Sequence, residues 1–261
     1  MNVGPTSEQS SMPDLAGKKA VVVGASRGLG RGVAEAMSAA GASVMAIARD
    51  RPELEDLTRA EPAIGVTVAD ATDPVVAGAI IDSHDPDVLA VIAGASPLLH
   101  PIHHHTWETF SLNWQVDVRV AFNWLREAML KPLRPGSRVL LMSSGAALRG
   151  SPMSGGYAGA KATIRFMAAY ADDEARRLGL GIRVLSVLPR LTPATGLGRP
   201  AVRVYAARQG VSEEQYVSAL GAAVTPAGAG EAFVELAGGD PDAGGAYMLT
   251  GDGLVALPTS A

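Results

Sequence analysis

The chain of 261 residues contains no cysteine. Disulfide staples, thiolate nucleophiles and cysteine-based metal sites are therefore excluded. Aromatic residues are scarce, at 5%, and neither sign of charge forms a block: 22 Lys and Arg against 26 Asp and Glu leave a net charge of −4. A nucleic-acid-binding surface draws on a basic excess, so nucleic acid is not an expected partner. No apolar stretch is long enough to cross a bilayer, and the N-terminus lacks a basic-plus-apolar leader. The expectation is no membrane partner and a cytoplasmic location. What remains is a glycine-rich chain, 30 Gly and 48% hydrophobic, which is the composition of a globular protein. Its length allows one large α/β domain with a substantial core. Residues 1–13 read as a flexible N-terminal tail and 14–261 as a single catalytic domain, with no internal repeat.

The first strong local signal is Lys19 to Gly30, KAVVVGASRGLG. Ala20 to Val23 is a β-branched apolar run, as expected of a strand buried on both faces of a parallel sheet. Gly24, Gly28 and Gly30 follow, then an Ala-rich helical stretch from Arg31 to Ala40 that Gly41 ends. Strand, glycine turn and helix are the context in which a backbone approaches a pyrophosphate and a helix N-terminus receives its charge. Strands near 20–24, 43–48, 64–69, 88–93, 137–143, 182–187 and 245–249 alternate with helical stretches. Right-handed crossovers then give a single-domain Rossmann-type doubly wound parallel sheet of about seven strands, with helices on both faces.

A second constellation is Ser144 followed by Tyr157-Ala-Gly-Ala-Lys161. Tyr157 and Lys161 are four residues apart, so a helix places them on one face. A phenol is a poor acid at neutral pH, and a neighbouring ammonium favours the phenolate. The pair can protonate a nascent alkoxide or act as base in reverse. Ser144 is placed to hold the substrate oxygen.

Together these motifs resemble the short-chain dehydrogenase/reductase family, from about Leu15 to Leu254. Gly24-x-x-x-Gly28-x-Gly30 and Tyr157-x-x-x-Lys161 stand in the family's order, with Ser144 thirteen residues before the tyrosine. The resemblance implies a catalytic Ser144, Tyr157 and Lys161, with the lysine also bonding the nicotinamide ribose. It implies cofactor contacts from the turn residues Gly24, Ser26, Arg27, Gly28, Leu29 and Gly30. Asp70 and Ala71 would hold the adenine, Ala93 and Gly94 follow the fourth strand, and Pro189 and Thr192 follow the sixth. The second strand, SVMAIA, ends with Ala48 where NAD-using relatives carry an acid, and Arg49 comes next. Two guanidiniums, Arg27 and Arg49, suit a dianionic 2′-phosphate, so the cofactor expected is NADP(H). The opposing reading has Asp50 on the ribose of NAD.

Three departures from the family pattern stand out. Asp117 falls where relatives carry an asparagine that holds a relay water, and it is included among the catalytic candidates. Its charge would favour Lys161 as ammonium while opposing a Tyr157 phenolate; a purely structural cap or salt bridge is the alternative, and Asn113, one turn earlier, is a substitute. Ile92 replaces an asparagine before Ala93-Gly94. Arg190 replaces a glycine after Pro189, either pointing to solvent or offering charge to an acidic substrate. The insertion 190–226, with a helical segment from Ala201 to Ala223, fits a substrate lid. His103-His104-His105 reads as a loop cluster with no metal, because consecutive residues do not converge on one ion. Trp107, Trp114 and Trp124 read as core or subunit-interface residues.

The expected function is an NADPH-dependent carbonyl reductase acting on a small molecule, a ketone or aldehyde, in a largely apolar pocket. NADP-dependent alcohol oxidation and a nucleotide-binding regulatory protein with impaired catalysis are the alternatives. The resemblance implies a homotetramer, with a dimer as fallback.

Overall fold

The structure, a computed structural model, describes residues 13–239 and 245–258. Except for Pro13, the tail expected over 1–13 lies outside them. Seven strands run parallel: β1 Lys19–Val23, β2 Ser43–Ala48, β3 Gly65–Val68, β4 Val88–Val91, β5 Arg138–Met142, β6 Arg183–Pro189 and β7 Ala246–Thr250. An eighth, β8 Gly253–Ala256, pairs antiparallel with β7. The expectation of about seven strands missed it because β8 is short and exposed toward its end. Its signal was the Gly251–Asp252 turn, which folds back through Gly253 at φ +112°. The strand order is β3-β2-β1-β4-β5-β6-β7-β8. The direction of winding reverses between β1 and β4, which opens a crevice at their C-terminal ends.

Period-two alternation explains the two cores. Ala20, Val22, Val88, Ala90 and Leu140 point to one face, and Val21, Val23, Leu89, Val91 and Leu141 to the other. The first face is covered by α1 (Gly28–Ala39), α2 (Arg51–Ala60) and α10 (Pro226–Gly238). The second is covered by α3 (Pro74–His84), α5 (Arg119–Leu130) and α7 (Tyr157–Arg177). Helices α1 and α10 touch at backbone distance: a Cβ on Gly32 would lie 2.1 Å from the Pro226 carbonyl oxygen.

The helix before β5 is not uniform. It begins as α4 (Trp107–Asn113), widens into a π turn over Trp114–Val118, and resumes as α5. The short α6 (Ala146–Arg149) follows β5. The helical segment expected over Ala201 to Ala223 is two helices, α8 (Gly198–Gln209) and α9 (Glu213–Ala219). Gly210, at φ +68°, ends the first, and Ser212 with Gln215 forms a capping box that starts the second.

Candidate active site

All the expected catalytic and cofactor-binding residues line one cleft of about 2020 Å³ at the C-terminal ends of the strands; Asn113, the histidine cluster and the three tryptophans do not line it. Helix α1 starts at Gly28. Arg27 precedes it without a side-chain cap, and its first turn carries no acidic residue, so its free N–H groups call for an anion. Gly24 (φ +92°) must be glycine: a Cβ there would lie 2.5 Å from Ala93 N. Gly30 must be too, because its Cβ would meet the Gly24 oxygen at 2.0 Å. Gly28 (φ +57°) opens onto empty space. Ser26 and Leu29 line the same end, so a bare, positively polarised backbone faces the cleft and fits a pyrophosphate.

The adenosine end holds Arg49, Asp70 and Ala71. The Asp70 carboxylate accepts from Thr72 N (2.9 Å) and Thr72 Oγ1 (2.8 Å). These two bonds, with Arg49 and Arg119 nearby, hold its pKa below the usual carboxylate range. Asp50 caps α2, its Oδ1 accepting from Glu53 N at 3.1 Å. Arg27 reaches Glu53 Oε1 at 3.3 Å, while Arg49 is exposed. The arginines expected to act together are therefore engaged differently.

At the far end the helix α7 presents Tyr157 and Lys161 together, with Lys161 Nζ 5.7 Å from the centre of the Tyr157 ring. Lys161 is 4% exposed and Asp117 1%. Lys161 Nζ donates to the Met142 carbonyl oxygen at 3.2 Å and lies 3.1 Å from Asp117 Oδ2. The other Asp117 oxygen accepts from Ala95 N (2.8 Å) and Asn113 Nδ2 (3.3 Å), and Asn113 also donates to the Ala95 carbonyl (2.8 Å). Burial alone would lower the Lys161 pKa; the Asp117 carboxylate, with Tyr157, outweighs it and raises it above the ordinary 10.5. The π turn directs Asp117 inward, and Gly94 makes room: a Cβ there would lie 2.9 Å from Asp117 Oδ2. Asp117 is therefore an ion-pair partner of the lysine.

Ser144 sits between β5 and α6 and lines the cleft, with Oγ accepting from Ala146 N at 3.2 Å. Its neighbour Ser143 donates to the Lys161 carbonyl at 2.7 Å, tying β5 to α7. This tie had no sequence signal beyond a second serine. Gly156 likewise carries no sequence signal for its role. A Cβ on Gly156 would lie 2.2 Å from the Phe110 carbonyl oxygen, so α7 begins in contact with α4.

Pro189 ends β6, and Thr192 is buried beside Thr195 (Oγ1–Oγ1 2.9 Å). Arg190 is exposed, and its φ is not positive; Asp85 is the only non-glycine with positive φ among the described residues. Ile92 packs against the first core, and its N–H and that of Ala93 both donate to Val23 O. Tyr205 Oη, on α8, contacts Ser151 Oγ (2.5 Å) and accepts from Met153 N (3.2 Å), bringing α8 onto the loop after α6. His105 is bound to Thr109 Oγ1 and to the His100 carbonyl, both at 3.1 Å. Trp124 is buried and donates to Ala71 O at 3.0 Å, which supports the adenosine end; Trp107 and Trp114 are exposed.

The comparisons with known proteins agree with this geometry. The model of the family described as enoyl-(acyl carrier protein) reductase matches residues 24–248. L-xylulose reductase of Homo sapiens is 35% identical over 105 residues, 40% of this chain and 43% of that protein. D-erythrulose reductase of Gallus gallus is 34% identical over 113 residues, 42% and 46%. A short chain dehydrogenase of Pseudocercospora fijiensis is 34% identical over 163 residues, 58% and 52%. The chain thus spans about half the length of the curated relatives it matches. With both glycine and Tyr-Lys motifs meeting in one cleft under a match of this length, the chain belongs to the short-chain dehydrogenase/reductase family.

Proposed function

We propose that the chain is an NADPH-dependent carbonyl reductase. The observation that carries the reading is the buried Lys161 ammonium held beside the Tyr157 ring in the cleft that the glycine turn opens. When bound along the glycine turn, a reduced nicotinamide would supply the hydride for the carbonyl carbon. Tyr157 Oη gives its proton to the carbonyl oxygen as negative charge develops there, and solvent restores it. Ser144 Oγ donates a hydrogen bond to the same oxygen. Lys161 has three N–H groups; the Met142 carbonyl accepts from one, the Asp117 carboxylate is its ion-pair partner, and donor capacity is left for a ribose hydroxyl. Asp117 acts through Lys161 and is a positioning residue. The same groups run in reverse for alcohol oxidation, and relatives named as reductases of L-xylulose and D-erythrulose favour the reductive direction.

The preference for NADPH rests on Arg49, which is exposed at the end of β2, and on Asp50, which is committed to capping α2. The Arg27–Glu53 pair is solvated and weakly held, so it can yield Arg27 to a phosphate. A relative named carbonyl reductase [NADPH] 2, of Sus scrofa, is 29% identical over 133 residues and agrees in cofactor. Residues 14–261 form the proposed catalytic domain, in which 190–226 closes over the substrate. Titration of both cofactors, followed by calorimetry and hydrogen exchange, tests this. NADPH should bind about tenfold or more tighter than NADH, Arg49→Ala should erase the gap, and exchange in 190–226 should slow on binding. Equal affinities would refute the cofactor assignment, and unchanged exchange would refute the lid.

A further inference from the structure

The substrate end of the cleft is basic. Arg149, Arg190 and Arg208 all line it. The acidic residues that line the cleft are Asp50 and Asp70 at the adenosine end and Asp117, paired with Lys161, so no carboxylate lines the substrate end among the described residues. None of the three arginines forms an ion pair with a described carboxylate. The contrast lies on one helix: Arg203 of α8 pairs with Glu213 at 3.4 Å, whereas Arg208 has only the Met153 sulfur, 3.3 Å from Nη1.

The fold gathers these residues from three elements. Arg149 closes α6, five residues after Ser144, and Arg190 follows β6, its Cα within 3.9 Å of a Cβ on Gly145. Arg208 is three residues after Tyr205, on the same face of α8, and both reach the loop that follows Arg149. An exposed guanidinium without a carboxylate partner keeps its forked donors open to an oxyanion.

We infer that the carbonyl substrate carries an anionic group, a carboxylate or a phosphate, which these arginines read while its carbonyl meets Ser144 and Tyr157. The inference rests on the reductase reading for the placement of the carbonyl, and on the arginines alone for the anion. Guanidiniums match both oxyanions in geometry.

The test compares para-formylbenzoate, para-formylphenyl phosphate and methyl para-formylbenzoate as substrates with NADPH. The protein is the full chain and its Arg149→Gln/Arg208→Gln variant. The same three are measured for equilibrium binding to NADP+-loaded protein by calorimetry. In the wild type at least one anion should exceed the ester about tenfold in kcat/KM and in affinity, and added salt should shrink that ratio. The variant should bring the ratio close to one, with melting temperature kept because both side chains are exposed. Carboxylate or phosphate as the better anion names the class. A wild-type ratio of one or less, or a ratio the variant leaves intact, overturns the inference. Discrimination in binding with no turnover of any aldehyde upholds the anion subsite and sinks the reductase reading.

Discussion

Lys161 and Asp117 are the most consequential pair in the molecule, because two opposite charges are buried against each other beside the phenol that does the proposed chemistry. A buried pair is costly to break by halves: removing one partner typically costs about 3–5 kcal/mol, since the other charge stays desolvated. The raised Lys161 pKa fixes the pH dependence. Stability from the pair is fully present below the unfolded value of 10.5 and is lost as pH climbs through the raised folded value. In Asp117→Asn both contributions of the carboxylate are gone and burial, the largest cause, is opposed by Tyr157 alone; the lysine pKa should fall, so stability should instead rise with pH on the approach to 10.5. Urea unfolding from pH 8 to about 11 should therefore show opposite slopes for the two proteins, with the variant weaker by about 3 kcal/mol at neutral pH. Parallel slopes would mean that the pair does not control the lysine. Activity of Asp117→Asn should stay level or rise, because the carboxylate opposes a phenolate that the lysine favours; a collapse would assign Asp117 a direct part in turnover. The position of Asp117 was legible from the motif alignment. So was its bearing on Lys161; the direct buried contact was not, because it depends on the π turn and on the missing side chain of Gly94, which no local pattern announces.

At the scale of elements, β1, the glycine turn and α1 were readable because each local preference agrees with the tertiary role. The lid was harder: Gly210 and the Ser212 cap split a segment that reads as continuous helix. Helices α5 and α7 also carry aromatic side chains that stay exposed among the described residues. Phe122, Phe166 and Tyr170 are all exposed, and Phe166 stacks on Tyr170 at 6.1 Å. Aromatic groups in water on neighbouring helices fit a subunit interface, which is where the family resemblance puts assembly. We propose a homotetramer, or a dimer, closed through this face. Phe166→Glu should lower the sedimentation mass of the wild-type assembly without unfolding the chain. A wild-type mass of one chain would contradict the proposal.

For the whole molecule, alternation along β1, β4 and β5 supplies two cores, and the switch in winding between β1 and β4 places the crevice. That much follows from hydrophobic period and crossover handedness. The edge strand β8 and the placing of Arg149, Arg190 and Arg208 along one cleft do not, since each depends on the packing of other elements. The most direct measurement of the central claim is single-turnover oxidation of NADPH by a panel of neutral aldehydes, comparing the wild type with Tyr157→Phe. The account predicts a rate lower by about 10²–10⁴ in the variant, with its NADPH affinity near the wild-type value. Equal rates in the two proteins would contradict it.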